Sequence, residues 1–438
     1  MRYYSTNKNS APVSFKEASI QGLAPDKGLY FPEFIPKLTS EWLWNFKHSS
    51  KAQIAFDIMK PFVGNSIPDQ QLFSICEETV SADFPLQKLT NEIYALELFH
   101  GPTLAFKDTG ARFMSRCLAW FSIDRQKHLT VLVATSGDTG SAVANGFLGV
   151  EGVDVVILYP SGKVSPIQEL QLTTLGRNIT ALEIEGSFDD CQQLVKNAFS
   201  DPDIHQRFFL TSANSINVAR WLPQQVYYFF ALQQWAEDLP PVISVPSGNF
   251  GNLCAGLLAF KSGLPAAHFL AACNRNNVFP NFLKTGLFTP ANAISTISNA
   301  MDVGNPSNFV RILEMMEFSL SKIRSHLSGM SISDELTETT IRNVCTSSNY
   351  LLDPHGAVAY QALDQYLKKH PGQKGLFLET AHPVKFSETV SRITGQPVAI
   401  PAAVMHLAGL KKRSIKMPSA YGIFKEYLMS REVAESVC

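Results

Sequence analysis

Charge of neither sign dominates this chain of 438 residues: 37 lysines and arginines stand against 38 aspartates and glutamates, for a net charge of -1. A nucleic-acid backbone or an anionic lipid surface is held by a concentrated positive field, and none is present here. Small-molecule chemistry is what remains. The chain also lacks any C-x-x-C pair. Its seven cysteines, Cys76, Cys117, Cys191, Cys254, Cys273, Cys345 and Cys438, follow no regular spacing. That excludes a disulfide framework and the ligand pattern of a structural zinc site, and fits reduced thiols in a cytoplasmic setting. The opening "MRYYSTNKNSAPVSFKEA" has no apolar export region. No window approaches the run of about eighteen uncharged apolar residues that a membrane-spanning helix needs. Repeats of fixed period and low-complexity tracts are missing too, and nothing in the text assigns an oligomeric state.

What the chain does have is core material: 45% hydrophobic and 17% charged residues, enough for two or three domains. Short apolar runs alternate with helix-period stretches. Runs beginning at Thr130, Asp154, Asn178, Pro241, His268 and Lys374 are rich in Val, Ile, Leu and Phe, and each ends at a turn signal. Between them lie segments such as "TGSAVANGFLGV", "SPIQELQLTTLG", "SFDDCQQLVKNAF", "NVARWLPQQVYYFFALQQWAEDL" and "HGAVAYQALDQYLKKH", several opening on a capping Ser, Thr or Asp. Apolar strands alternating with amphipathic helices predict an α/β fold of mainly parallel sheets covered by helices. Domain-size priors place an N-terminal segment at 1–90, a first α/β lobe at 91–235 and a second at 236–438. Residues 275 to 345 read as polar and helical with few strands.

In open parallel sheets, ligands gather beyond the carboxyl ends of the strands. The loop in "VISVPSGNFGNLCAGLLAF" follows a β-branched run and precedes a small-residue helix; Gly248 and Gly251 let backbone N–H groups converge at that helix start, a phosphate site. It matches neither G-x-G-x-x-G nor G-x-x-x-x-G-K-[ST], so nucleotide signatures are absent. The turn Thr135-Ser136-Gly137-Asp138-Thr139-Gly140 repeats the logic with hydroxyls suited to a small carboxylate. In "FLTSANSINVARWLPQ", Arg220 offers a planar fork for phosphate, with Asn214 and Ser215 as neutral donors. Lys107, in "HGPTLAFKDTG", ends an apolar approach just before a helix start at Asp108 or Thr109. Alone it reads as a solvated surface lysine. Held against apolar walls, its amine would be nucleophilic and basic. Two anion loops, an arginine and such a lysine are the parts that a pyridoxal 5'-phosphate (PLP) enzyme requires.

Over nearly its whole length the chain resembles the threonine synthase family, in the group with a long N-terminal segment, within fold type II PLP enzymes. The resemblance rests on "YYSTNKN", "GLAPDKGLYFP", "ELFHGPTLAFKDTGARF", "ATSGDTGSAV", "TSANSINVARWLPQ", "PSGNFGNLCAG", "DPHGAVAY" and "ETAHPVKF", in that order. It implies that Lys107 is the Schiff-base lysine and that Gly248, Asn249, Phe250, Gly251 and Asn252 form the cofactor-phosphate loop. It puts Thr380 opposite the pyridine nitrogen. Thr135, Ser136 and Thr139 then hold the substrate carboxylate, and Asn214, Ser215 and Arg220 the phosphate of O-phospho-L-homoserine. The wider fold group commonly carries asparagine facing the cofactor's 3'-hydroxyl where this chain has Asp138, which leaves an acceptor role or a solvent-facing carboxylate open. No metal is implied: His100, His355 and His382 lack ligand spacing. The implied reaction converts O-phospho-L-homoserine and water to L-threonine and phosphate. The rival readings are another fold type II lyase, of the serine or threonine dehydratase kind, and a non-catalytic phospholigand-binding relative.

Overall fold

A computed structural model describes residues 1–122 and 129–431; Cys438 lies outside them. Among the described residues, fourteen strands form three sheets. In chain order they are β1 (Arg2–Ser5), β2 (Val13–Ser14), β3 (Tyr30–Pro32), β4 (Leu86–Lys88), β5 (Ile93–Glu97), β6 (Leu129–Ala134), β7 (Val153–Pro160), β8 (Ile179–Glu185), β9 (Phe209–Ser212), β10 (Val242–Pro246), β11 (His268–Cys273), β12 (Leu327–Ser331), β13 (Gly375–Glu379) and β14 (Ile415–Pro418). The N-terminal sheet has the order β2-β1-β3 and is antiparallel. The large sheet runs β12-β11-β10-β13-β5-β4, parallel except for the β4 hairpin strand. The small sheet, β14-β8-β7-β6-β9, is parallel throughout.

Each apolar run picked out in the sequence is a central strand, and the two α/β sheets are covered by helices as a parallel sheet must be. The helices Pro166–Thr173 and Phe188–Ala198 open on full capping boxes at Ser165 and Ser187, where side chain and backbone satisfy each other's free donors. The stretch from Asn217 to Leu239 is not one helix: Pro223 cannot donate an N–H, and the chain goes through a short helix at Val218–Trp221, a 3-10 turn at Leu222–Gln225 and a second helix at Val226–Gln234.

The sheets do not follow the boundaries at 90 and 235. Strand β5 lies in the large sheet, pairing with β13, although the helix that follows it packs on the small lobe's helix Asp138–Phe147. Strand β14 returns to the small sheet and pairs with β8. The polar stretch 275–345 holds one strand, β12, and four helices, among them Phe309–Met315. Among the described residues no helix is long and apolar enough to cross a membrane.

Candidate active site

Strands β5, β13 and β10 run in one direction, as do β6 and β9, so the segments that leave their carboxyl ends carry nearly every residue singled out above. Lys107 is itself the first residue of the helix Lys107–Ser122, one position earlier than the sequence predicts. The backbone ahead of it is clamped to the segment after β13. Phe106 N–H donates to the Thr380 carbonyl at 3.0 Å and His382 N–H to the Leu104 carbonyl at 3.0 Å, on either side of an Ala105–Ala381 bridge. Leu104 is held there at φ 58°, in the left-handed region, a strain of about 1–3 kcal/mol that the surrounding bonds must offset.

The Lys107 ammonium lies 3.5 Å from Asp138 Oδ2 and 4.7 Å from the Phe106 ring. Burial lowers its pKa most; Asp138 opposes that shift, while Lys385 and Arg220 add to it. Asp138 does not face solvent. It is 5% exposed, receives Gln168 Nε2 at 2.8 Å, and pairs with Lys385 at 2.7 Å. Burial by itself would raise the pKa of this carboxyl, but the two lysines and Gln168 outweigh burial and hold it ionised, well below the usual range. Lys385 is fully buried and also donates to the Thr103 carbonyl at 2.8 Å. It lies in "ETAHPVKF", between Val384 and Phe386, and sequence reasoning took only Thr380 from that motif.

The Thr135 hydroxyl is spent on its own turn, accepting Gly137 N–H at 2.9 Å and Gly140 N–H at 2.8 Å, while Ser136 and Thr139 are half-buried beside it. Beyond β10, Phe250 takes φ 60° immediately before the helix Gly251–Ser262; its carbonyl accepts Cys254 N–H at 2.8 Å and its ring meets Phe279 edge-on. Gly248 admits no side chain, because a Cβ would approach Met301 Cα to 2.7 Å. Asn249 Nδ2 donates to Ser215 Oγ at 3.2 Å, so the loops that follow β9 and β10 adjoin. Arg220 is buried and gives NH1 to the Ala213 carbonyl at 2.9 Å; burial pushes its pKa down to about 10, so it remains a cation at neutral pH. Its backbone lies against Gly110 of the Lys107 helix, where a Cβ would come within 2.6 Å of the Arg220 carbonyl. Asn214 and Thr380 are partly or fully buried, linked to their neighbours through backbone bonds.

Two buried nitrogens, Asn252 Nδ2 and Arg220 Nε, have no hydrogen-bond partner among the described residues. Such orphan donors cost about 1–3 kcal/mol each unless an acceptor meets them, and an anionic group with several oxygens fits that need. Together with a partly buried amine and a glycine loop at a helix start, the donor set fits a phosphorylated aldehyde cofactor.

Comparison with known families agrees with that chemistry. Residues 78–378 match the model for pyridoxal-phosphate dependent enzymes, 2–80 that for the threonine synthase N terminus, and 356–428 that for the threonine synthase C-terminal region. The chain is 42% identical to the threonine synthase of Serratia marcescens over 431 residues, covering 98% of this chain and 99% of that one. The chain belongs to the threonine synthase family. Among solved threonine synthase structures, that from Escherichia coli superposes with a TM-score of 0.92 at 40% identity, covering 99% of this chain and 100% of that one. The PLP-bound threonine synthase of Brucella melitensis gives 0.91 at 34% identity, covering 98% of each chain. The threonine synthase fold is therefore present from end to end, with fold type II α/β architecture.

Residues outside the predicted set pack into the same cluster. Lys385 and Gln168 hold Asp138; Asn308 and Arg311, from the polar stretch, hold the loops of Asn249 and Ser215. Of these only Lys385 lies in a motif quoted above, and the partner that burial gives each polar side chain shows itself only through the fold.

Proposed function

We propose that this enzyme converts O-phospho-L-homoserine and water to L-threonine and phosphate with PLP as cofactor. The observation that carries the reading is the Lys107 amine, whose ammonium form burial disfavours beside an Asp138 carboxylate already answered by Lys385. When bound, the cofactor supplies an aldehyde carbon that accepts an amine and a ring that withdraws electron density from the substrate α-carbon. Lys107 would hold that carbon, Gly248 to Asn252 the phosphate, and Thr380 the ring nitrogen. Asp138, fixed by Lys385 and Gln168, would be an acceptor for the cofactor's ring hydroxyl.

The substrate carboxylate belongs at Ser136 and Thr139, at the positive end of the helix Asp138–Phe147. Its phosphate belongs with Asn214, Ser215 and Arg220, where a buried cation stabilises the charge that gathers as the γ-carbon to oxygen bond breaks. Lys107 Nζ, as the free amine, takes and returns the α-proton. In the balance, the γ-carbon gains the hydrogen that the β-carbon loses, while water gives its hydroxyl to the β-carbon and its proton to the departing phosphate. Cys76, Cys117, Cys191, Cys254 and Cys273 are free and buried, which supports a reducing, cytoplasmic setting.

The test is a comparison of turnover on O-phosphohomoserine, serine and threonine for the native protein and Lys107→Ala. Phosphate-ester turnover should dominate, and the variant should lose it by at least about a hundredfold while keeping its circular dichroism. Preference for serine or threonine, or undiminished activity in Lys107→Ala, would sink the reading.

A further inference from the structure

Arg311, on the helix Phe309–Met315, is fully buried, yet no carboxylate among the described residues is paired with it. Glu314, one turn along, is engaged elsewhere, accepting from the Tyr4 hydroxyl at 2.7 Å and facing Lys8 at 3.5 Å. The Arg311 guanidinium instead donates only to neutral oxygens. NH1 reaches the Ser215 carbonyl at 3.0 Å and Asn308 Oδ1 at 2.6 Å; NH2 reaches the Ile216 carbonyl at 2.7 Å and the Tyr30 carbonyl at 3.3 Å. Its Cζ is 4.1 Å from the Trp221 ring centroid. Burial pushes its pKa down to about 9, which still leaves it a cation at neutral pH.

A buried charge is ordinarily paired, because taking it out of water is expensive and a counter-ion recovers the cost. Leaving this one unpaired keeps a full positive charge directly behind the loop that carries Ser215. Arg311 also fixes the oxygen of Asn308 and so turns that side chain's NH2 toward Ser215 Oγ at 3.2 Å and the Asn249 carbonyl at 2.9 Å. Ser215 Oγ in turn accepts from Asn249 Nδ2. One side chain thus braces the Ser215 loop of the small lobe, the Asn249 loop of the large lobe and, through Tyr30, the N-terminal sheet.

We propose that Arg311 is a positioning residue for phosphate recognition: it joins the two anion loops, and its uncompensated charge raises their affinity for a phosphate group it does not touch. This rests on the reading above that these loops hold phosphate.

The experiment uses the holoenzyme, with inorganic phosphate as the probe in calorimetry and O-phosphohomoserine in steady-state kinetics, on Arg311→Gln, Arg311→Lys and Asn308→Asp. Arg311→Gln should weaken phosphate binding and raise KM by about tenfold or more, with kcat changed far less. Arg311→Lys keeps the charge without the fork and should recover part of that affinity. Asn308→Asp leaves Arg311 in place and gives it a carboxylate, so it should lose phosphate affinity even if Arg311→Gln fails to fold. Unchanged phosphate affinity and KM in a folded Arg311→Gln, or in Asn308→Asp, would overturn the proposal alone. A native protein with no affinity for phosphate would overturn both it and the reading beneath it.

Discussion

At the scale of the residue, the site turns on how three charges share one small space. Asp138 stands between Lys107 and Lys385, nearer to Lys385, so its charge is mostly spent before it reaches Lys107. Lys385→Met would leave Lys107 as its nearest cation and would also remove a neighbour that lowers the Lys107 pKa. Both changes raise that pKa, so less free amine is present at a given pH. The acid limb of the kcat–pH profile should move up by about one pH unit and neutral-pH kcat should fall roughly tenfold. Asp138→Asn in the Lys385→Met background should bring the limb back down. Lys107 was readable in the sequence only in company: its apolar approach and helix start alone suit a surface lysine, and the loops at Ser136 and Gly248 together with Arg220 single it out. The Asp138 partner was not: a lone lysine in "HPVKF" looks like any surface lysine until β13 carries it beneath the small lobe.

At the scale of the element, β13 ends on Glu379, a fully buried carboxyl that lies against the first turn of the helix Pro354–Leu367. Asp353 caps that helix, accepting from His355 N–H at 2.8 Å and Gly356 N–H at 3.2 Å, and its own N–H donates to Glu379 Oε1 at 2.8 Å. A side chain on Gly356 would overlap Glu379, with its Cβ 1.4 Å from Oε2. Burial, then the Asp353 charge, raises the Glu379 pKa well above its ordinary 4.5. The folded chain therefore keeps a proton that the unfolded chain releases. Stability from this group is whole below the unfolded value and is lost as pH rises toward the folded one, at up to about 1.4 kcal/mol per pH unit. Denaturant midpoints between about pH 5 and pH 8 should fall less in Glu379→Gln than in the native protein. Such an element-level contact is illegible in sequence, since Glu379 sits in a run that reads only as strand. The strands β6, β7, β8, β10, β11 and β13 were legible because apolar residues fill them; β5, "IYALE", was not, its run being short and broken by a charge.

At the scale of the whole molecule, one apolar cluster runs through all three sheets, taking Tyr3 and Phe15 from the N-terminal segment, Val131 and Val155 from the small sheet, and Ile243 and Phe269 from the large one. Boundaries inferred from domain size suppose separate cores; a shared core couples the parts. Unfolding followed by far-ultraviolet and near-ultraviolet circular dichroism should show coincident transitions, and a separate early step in either signal would count against that coupling. Strand β14 adds a condition of its own, because it supplies the outer edge of the small sheet from more than two hundred residues beyond β8. As the chain leaves the ribosome, β8 must wait with one edge unpaired while β10, β11, β12 and β13, four of the six strands of the large sheet, are made. An open edge of that kind is what chaperones hold and what neighbouring chains stick to. Only when β14 pairs with β8 is that edge of the first lobe closed.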